Sequence, residues 1–122
     1  MNEATAITFL CTMLFNGAEE VRHDYDTGQE SGYIRVDCEN AHHVIEMGLD
    51  KRSSYDSLHQ VLFASQLTGK KPLIVIVDTD LREGRGEYQI RTVANGAGVE
   101  FMSLYIGDLP KLLELIDDHT SP

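Results

Sequence analysis

Two carboxylates, Asp37 in YIRVDCEN and Glu46 in HHVIEMGLD, have the residue type and spacing in this chain that best suit chemistry. They lie in two consecutive β-patterns, so a tight hairpin between the patterns would bring their side chains together. Converging carboxylate oxygens form a hard-ligand site that suits Mg²⁺ or Mn²⁺. A cation held there can activate a water and neutralise the charge that builds on a phosphodiester. The alternative is that both acids are solvated residues on an exposed strand face.

The elements that would position this pair follow from the spacing of apolar residues. A helix is followed by three strands that we expect to pair as an antiparallel meander: Ala4–Phe15, then Glu20–Thr27, Tyr33–Asn40 and His42–Asp50. Next come a capped helix and a continuous apolar run typical of a strand buried on both faces: Ser53–Thr68 and Leu73–Val77. The last elements are a helix, a strand and a closing helix: Glu87–Ala97, Glu100–Tyr105 and Pro110–His119.

The resulting order, αβββαβαβα, predicts an α/β fold, a three-layer-type sandwich with a mixed central sheet. The length of 122 residues fits a single domain over residues 1–122. Regular alternation along the second strand places Ile34, Val36 and Cys38 on one face and Asp37 on the other. On the third strand, alternation places Glu46 on the face opposite to its apolar neighbours.

The charge balance bears on the partners. Ten Lys and Arg against twenty Asp and Glu give a net charge of −10, and such a chain repels phosphate as a whole. Nucleic acid is therefore disfavoured as a partner, although Lys51 and Arg52 could contribute to a local basic groove. A homodimer formed through an edge strand, or a protein partner, is compatible with the pattern.

The compartment is read from the cysteines and the N-terminus. Cys11 and Cys38 lack the close spacing of a metal or redox motif, so we expect two buried thiols in a reducing compartment and a cytoplasmic protein. The apolar stretch Ala4–Phe15 is too short to span a bilayer and lacks a basic segment before it. We therefore expect a core helix there and no membrane contact.

At Asp37 and Glu46 the chain resembles the PD-(D/E)XK nuclease superfamily, which has a restriction-endonuclease-like core. That core contains an N-terminal helix, a three-strand meander, a crossover helix and a fourth strand, and the resemblance covers roughly residues 4–77. The signature is an acid on the second strand and then, on the third, an acid, any residue and a lysine. Asp37 matches the first acid and Glu46 the second, whereas glycine occupies the lysine position at Gly48.

The resemblance implies a Mg²⁺- or Mn²⁺-dependent phosphodiesterase or nuclease. The metal ligands would be Asp37, Glu46 and the backbone carbonyl of Met47. Lys51 would replace the missing lysine, and Gln60 would support the site from the crossover helix. Without that lysine, the same scaffold could instead be a non-catalytic binding or regulatory module.

A second candidate site is formed by Asp78 and Asp80, which follow the buried apolar run. Ligands in α/β sheets favour the carboxyl ends of strands, and the DxD pattern resembles the metal site of a toprim domain. That domain pairs its DxD with an upstream glutamate, a role that Glu46 would have to take. The structural alternative is that these aspartates cap the following loop and pair with nearby arginines.

Overall fold

A computed structural model describes residues 3–49, 55–78 and 82–105. Three helices and five strands are found there: α1 (Glu3–Phe15), β1 (Ala18–Asp26), β2 (Ser31–Glu39), β3 (His43–Leu49), α2 (Tyr55–Thr68), β4 (Lys71–Asp78), α3 (Arg85–Gly96) and β5 (Glu100–Tyr105). The order predicted from the sequence is confirmed over this part of the chain. The predicted start of the second helix at Ser53 and the closing helix Pro110–His119 lie outside the described residues.

The strands form one mixed sheet in the order β1-β2-β3-β4-β5. The first three strands pair antiparallel, whereas β4 pairs parallel with both β3 and β5. Parallel neighbours need a crossover connection, and α2 and α3 lie at these two places in the chain. The predicted meander and the predicted mixed sheet are therefore confirmed.

Two apolar clusters cover the two sides of the sheet. One joins strand residues to α2 and α3 and includes Val36, Val44, Val61, Ile74 and Ile90. The other joins strand residues to α1 and includes Leu10, Cys38, Ile45, Met47 and Val75. The predicted apolar run supplies the interior strand β4, in which every residue from Leu73 to Asp78 is buried. The helices therefore lie on both faces of the sheet, and we call these faces the α2 side and the α1 side.

Helix α1 packs on the sheet through Leu10 and Cys11, while Met13 and Leu14 are exposed. It has 13 residues, fewer than the 20 or so that a bilayer requires. Within the described ranges, no helix is both long and apolar enough to cross a membrane.

A disulfide between Cys11 of α1 and Cys38 of β2 joins the helix to the sheet, with the two Cα atoms 5.6 Å apart. The expectation of two free buried thiols was therefore wrong, because packing of α1 on β2 brings together residues that are 27 positions apart. Gly17 makes this approach possible, since a Cβ atom there would lie 2.7 Å from the Cys38 sulfur and 2.9 Å from the Glu39 carbonyl oxygen.

Removal of this disulfide should destabilise the fold. A cross-link between residues 27 apart lowers the conformational entropy of the unfolded chain, which raises the free energy of unfolding by about 3–4 kcal/mol. We expect the Cys11→Ala, Cys38→Ala double variant to lose about that much free energy of unfolding in urea titrations under non-reducing conditions. The denatured wild type should show no reactive thiol before reduction. Two reactive thiols, or equal stability of the variant, would contradict the cross-link.

Candidate metal site between strands β2 and β3

Strands β2 and β3 diverge where the two predicted acids lie. Their ladder pairs Cys38 with Ile45 and Glu39 with Val44. The next opposite residues would be Asp37 and Glu46, which form no ladder pair in the described sheet. β2 continues beside β1 to Ser31, and β3 continues beside β4 to Leu49. A gap therefore opens between the two strands, and the backbone groups that border it need other partners.

Side chains supply those partners. The backbone N–H of Met47 donates to Oδ2 of Asp37 over 2.8 Å. The side-chain amide of Gln60 in α2 donates both to the carbonyl oxygen of Arg35 and to Oε1 of Glu46. Groups from β2, β3 and α2 thus meet in the gap, and of the four predicted catalytic residues the structure brings together Asp37, Glu46 and Gln60.

Strand β2 changes face at Asp37. Val36 packs in the cluster on the α2 side, whereas Cys38 packs on the α1 side. Residues two apart in a regular strand share a face, so the predicted common face for Ile34, Val36 and Cys38 was wrong at Cys38. Because of this change, both Val36 and the Asp37 carboxylate lie away from the α1 side, and Asp37 reaches the gap beside Glu46.

Glu46 is 5% exposed and has an unusual protonation equilibrium. Burial, followed by the hydrogen bond and the negative charge of Asp37, raises the pKa of its carboxyl to about 10. The amide of Gln60 acts in the opposite direction, while the charge of Glu20 raises the pKa further. None of these described neighbours is a cation, so Glu46 keeps its proton beside Asp37.

Another carboxylate in the same sheet shows how hydrogen bonds and positive charge can offset the effect of burial on a pKa. Glu39, two residues after Asp37, accepts from the ammonium of Lys70 over 2.7 Å and also contacts the ring of His23. Burial alone would raise the pKa of Glu39, but these hydrogen bonds and charges outweigh it and the pKa is lowered. Glu39 is thus a paired structural anion, and Glu46 is not.

The donor set at Asp37 and Glu46 suits a hard divalent cation. A metal ion could take the place of the proton on Glu46, because its charge would offset the repulsion between the two carboxylates. In the described part of the chain, no group of three or more His, Cys, Asp or Glu side chains is placed to hold a metal. Mg²⁺ often takes one or two carboxylates and completes its shell with waters and substrate phosphates, so the pair fits an ion of this kind.

Among the described residues, the lysine position of the signature has open space around it. A Cβ atom at Gly48 would meet no atom of these residues within 4 Å, so a longer side chain could extend from β3 there. The predicted substitute, Lys51, lies outside the described residues. For Met47 the structure shows the N–H bound to Asp37, and the predicted ligation by its carbonyl stays a prediction.

The second candidate site does not meet the first. Asp78 is buried at the end of β4, and Asp80 lies outside the described residues. Glu46 is opposite Ile74 in the β3–β4 register, four residues before Asp78, which corresponds to about 13 Å along the sheet. Of the residues that a toprim site would require, the described pair Glu46 and Asp78 is therefore not brought together.

Glu20 is the acid that reasoning from the sequence missed. It influences the pKa of Glu46 by its charge, and it lies in β1, two strands away from β3. Glu19 and Glu20 are adjacent and of the same residue type, so no spacing signal in the sequence distinguishes them.

Comparison of the chain with protein-family models, with curated proteins and with solved structures finds no match.

The protonation of Glu46 predicts a pH dependence of stability. Its folded-state pKa, about 10, lies above the 4.5 of an ordinary glutamate. The stabilisation is complete below about pH 4.5 and is lost as the pH rises toward 10, because the unfolded chain releases the proton first. We expect the free energy of unfolding to fall across this window by up to about 1.4 kcal/mol per pH unit.

Urea titrations at several pH values check this expectation. Glu46→Gln, which is neutral at every pH, should remove most of the slope and stabilise the protein above neutral pH. Glu30→Gln, in the exposed β1–β2 turn, serves as the matched control and should keep the slope. Parallel pH profiles for wild type and Glu46→Gln would show that Glu46 is not the titrating group.

Proposed function

We propose that this chain is a metal-dependent phosphodiesterase of the PD-(D/E)XK type, with a site formed by Asp37 and Glu46. One observation carries the proposal: the two acids meet in a gap between diverging strands, and Glu46 is held there by Gln60. An acid on a solvated strand face would be exposed to water and would need no amide to bind its oxygens. Glu46 is instead buried and accepts a hydrogen bond from the amide of Gln60.

The order and pairing of the elements support the same proposal. The superfamily core requires a helix, a three-strand meander, a crossover helix and a fourth strand. In this chain α1 precedes the antiparallel strands β1 to β3, and α2 leads to β4, which is parallel to β3. Asp37 and Glu46 lie on the second and third strands, where that core has its acids.

The residues of the site divide the work as follows. Asp37 and Glu46 bind the cation, the Met47 N–H fixes one oxygen of Asp37, and Gln60 fixes one oxygen of Glu46. When bound, Mg²⁺ or Mn²⁺ would activate a water and neutralise charge on the phosphodiester. Lys51 is the proposed assistant that positions this water in place of the residue missing at position 48.

A non-catalytic binding or regulatory module on the same scaffold is the competing function. Two observations favour it: glycine occupies the lysine position at Gly48, and the net charge is −10. Lysine in this role contributes general acid–base assistance, which is typically worth 10²–10⁴-fold in rate. The two functions share the metal pair and differ in cleavage, so metal binding and cleavage have to be measured separately.

Metal binding tests the shared part. We expect calorimetric titration of the wild type with Mn²⁺ to show one site, because the cation replaces the proton on Glu46. Glu46→Ala should weaken this binding at least tenfold, since one of the two carboxylate ligands is lost, and Glu30→Ala should leave it unchanged. No heat in the wild type, or equal heat in Glu46→Ala, would end the metal-site proposal.

Restoring the lysine tests catalysis. Gly48→Lys should raise Mn²⁺-dependent cleavage at least tenfold, because the lysine would supply general acid–base assistance. Among the described residues, the space at position 48 admits its side chain. Single-stranded DNA, duplex DNA and RNA are the substrates. Gly48→Met, similar in length but uncharged, is the matched control and should give no increase. Cleavage by the wild type supports the phosphodiesterase. Cleavage by Gly48→Lys alone supports the non-catalytic module. Absence of cleavage by the wild type and by both variants would overturn the phosphodiesterase proposal.

A further inference from the structure

Glu20 has a backbone conformation that its residue type disfavours. Its φ angle is +50°, in the left-handed region, and among the described non-glycine residues it shares this feature with Asn16. Asparagine tolerates left-handed backbone, whereas a glutamate there is uncommon and strained. Such strain persists only where the surrounding structure enforces it, and it often marks a functional site.

The strained residue lies opposite the first acid of the candidate site. The β1–β2 register pairs Glu19 with Cys38 and Val21 with Val36, so Glu20 is opposite Asp37. The hairpin register has no ladder pair at this step. It is also the step at which β2 changes face, because Val21 and Val36 pack on the α2 side while Cys38 packs on the α1 side. One irregular step in the hairpin therefore contains both features.

We propose that Glu20 is the positioning residue of the Asp37 and Glu46 site. Its left-handed backbone allows β2 to change face at Asp37, which places the Asp37 carboxylate beside Glu46 and under the N–H of Met47. Its own exposed carboxylate adds negative potential at the gap, which attracts a divalent cation. The backbone role of Glu20 concerns the geometry of the metal-free protein. Its charge role rests on the proposed metal function.

The two roles call for different variants. Glu20→Gly keeps the left-handed conformation without strain and removes the charge. Glu20→Gln keeps the size and the strain but removes the charge. Glu20→Val disfavours the left-handed conformation, because a β-branched residue is a poor fit there. Glu19→Val and Glu19→Gln, at the neighbouring exposed and paired position, are the matched controls.

Backbone positioning is measured without metal. In NMR spectra, the Met47 amide reports its hydrogen bond to Asp37 through its chemical shift and its exchange rate. Glu20→Gly should keep the wild-type Met47 signal and raise the Tm by a few degrees. Glu20→Val should shift the signal and speed exchange at least tenfold, whereas Glu19→Val should do neither. If Glu20→Val does not fold, the Tm of Glu20→Gly tests the backbone role instead. A Tm of Glu20→Gly at or below that of the wild type overturns this role.

The charge role is measured by Mn²⁺ titration at low ionic strength. Loss of one charge near the ion should raise the Kd about fivefold in Glu20→Gln and in Glu20→Gly, while Glu19→Gln should change it less than twofold. Equal affinities of Glu20→Gln and the wild type overturn the charge role. A wild type that does not bind Mn²⁺ overturns both the charge role and the proposed function, but the Met47 signal still tests the backbone role.

Discussion

The charge that Asp37 and Glu46 would carry together is the constraint on which the rest of the site depends. Two carboxylates within hydrogen-bonding reach, one of them buried, cannot both ionise without a cation. Besides burial, the described groups that set the pKa of Glu46 are Asp37, Gln60 and Glu20, and none of these supplies positive charge. The pair must therefore hold a proton or bind a cation, and either choice changes the electrostatics of the gap.

The surrounding elements maintain this arrangement. Helix α2 packs through Val61 and Ala64, and this packing fixes Gln60 against Glu46. On the other face the disulfide ties β2 to α1 at Cys38, directly after Asp37. The Lys70 ammonium is engaged by Glu39 and neutralises that anion instead of the pair. The gap between β2 and β3 is thus bounded by fixed groups on both sides, and its negative charge remains uncompensated by them.

Sequence reasoning succeeded where the strands are regular. Alternation placed Glu46 on the face opposite to its apolar neighbours. In the structure Ile45 and Met47 pack on the α1 side, and Glu46 meets Gln60 of α2, because β3 is paired to β4 along its whole length. It failed on β2, because alternation assumes an unbroken pleat and the left-handed residue responsible lies on the partner strand. The disulfide was missed for a similar reason, since pairing of distant cysteines is decided by packing. Types of element were therefore predictable, and the irregular step that positions the site was not.

The proton on Glu46 also links the stability of the fold to the proposed function. A cation that binds the pair must displace this proton, so its apparent affinity rises with pH. Over the same range the metal-free protein loses stability, because its carboxyl is forced toward ionisation. Bound metal removes that cost by supplying the missing positive charge, and it stabilises the fold most where the free protein is least stable. One electrostatic imbalance thus keeps Glu46 neutral in the metal-free protein and would favour the divalent ion of the proposed function.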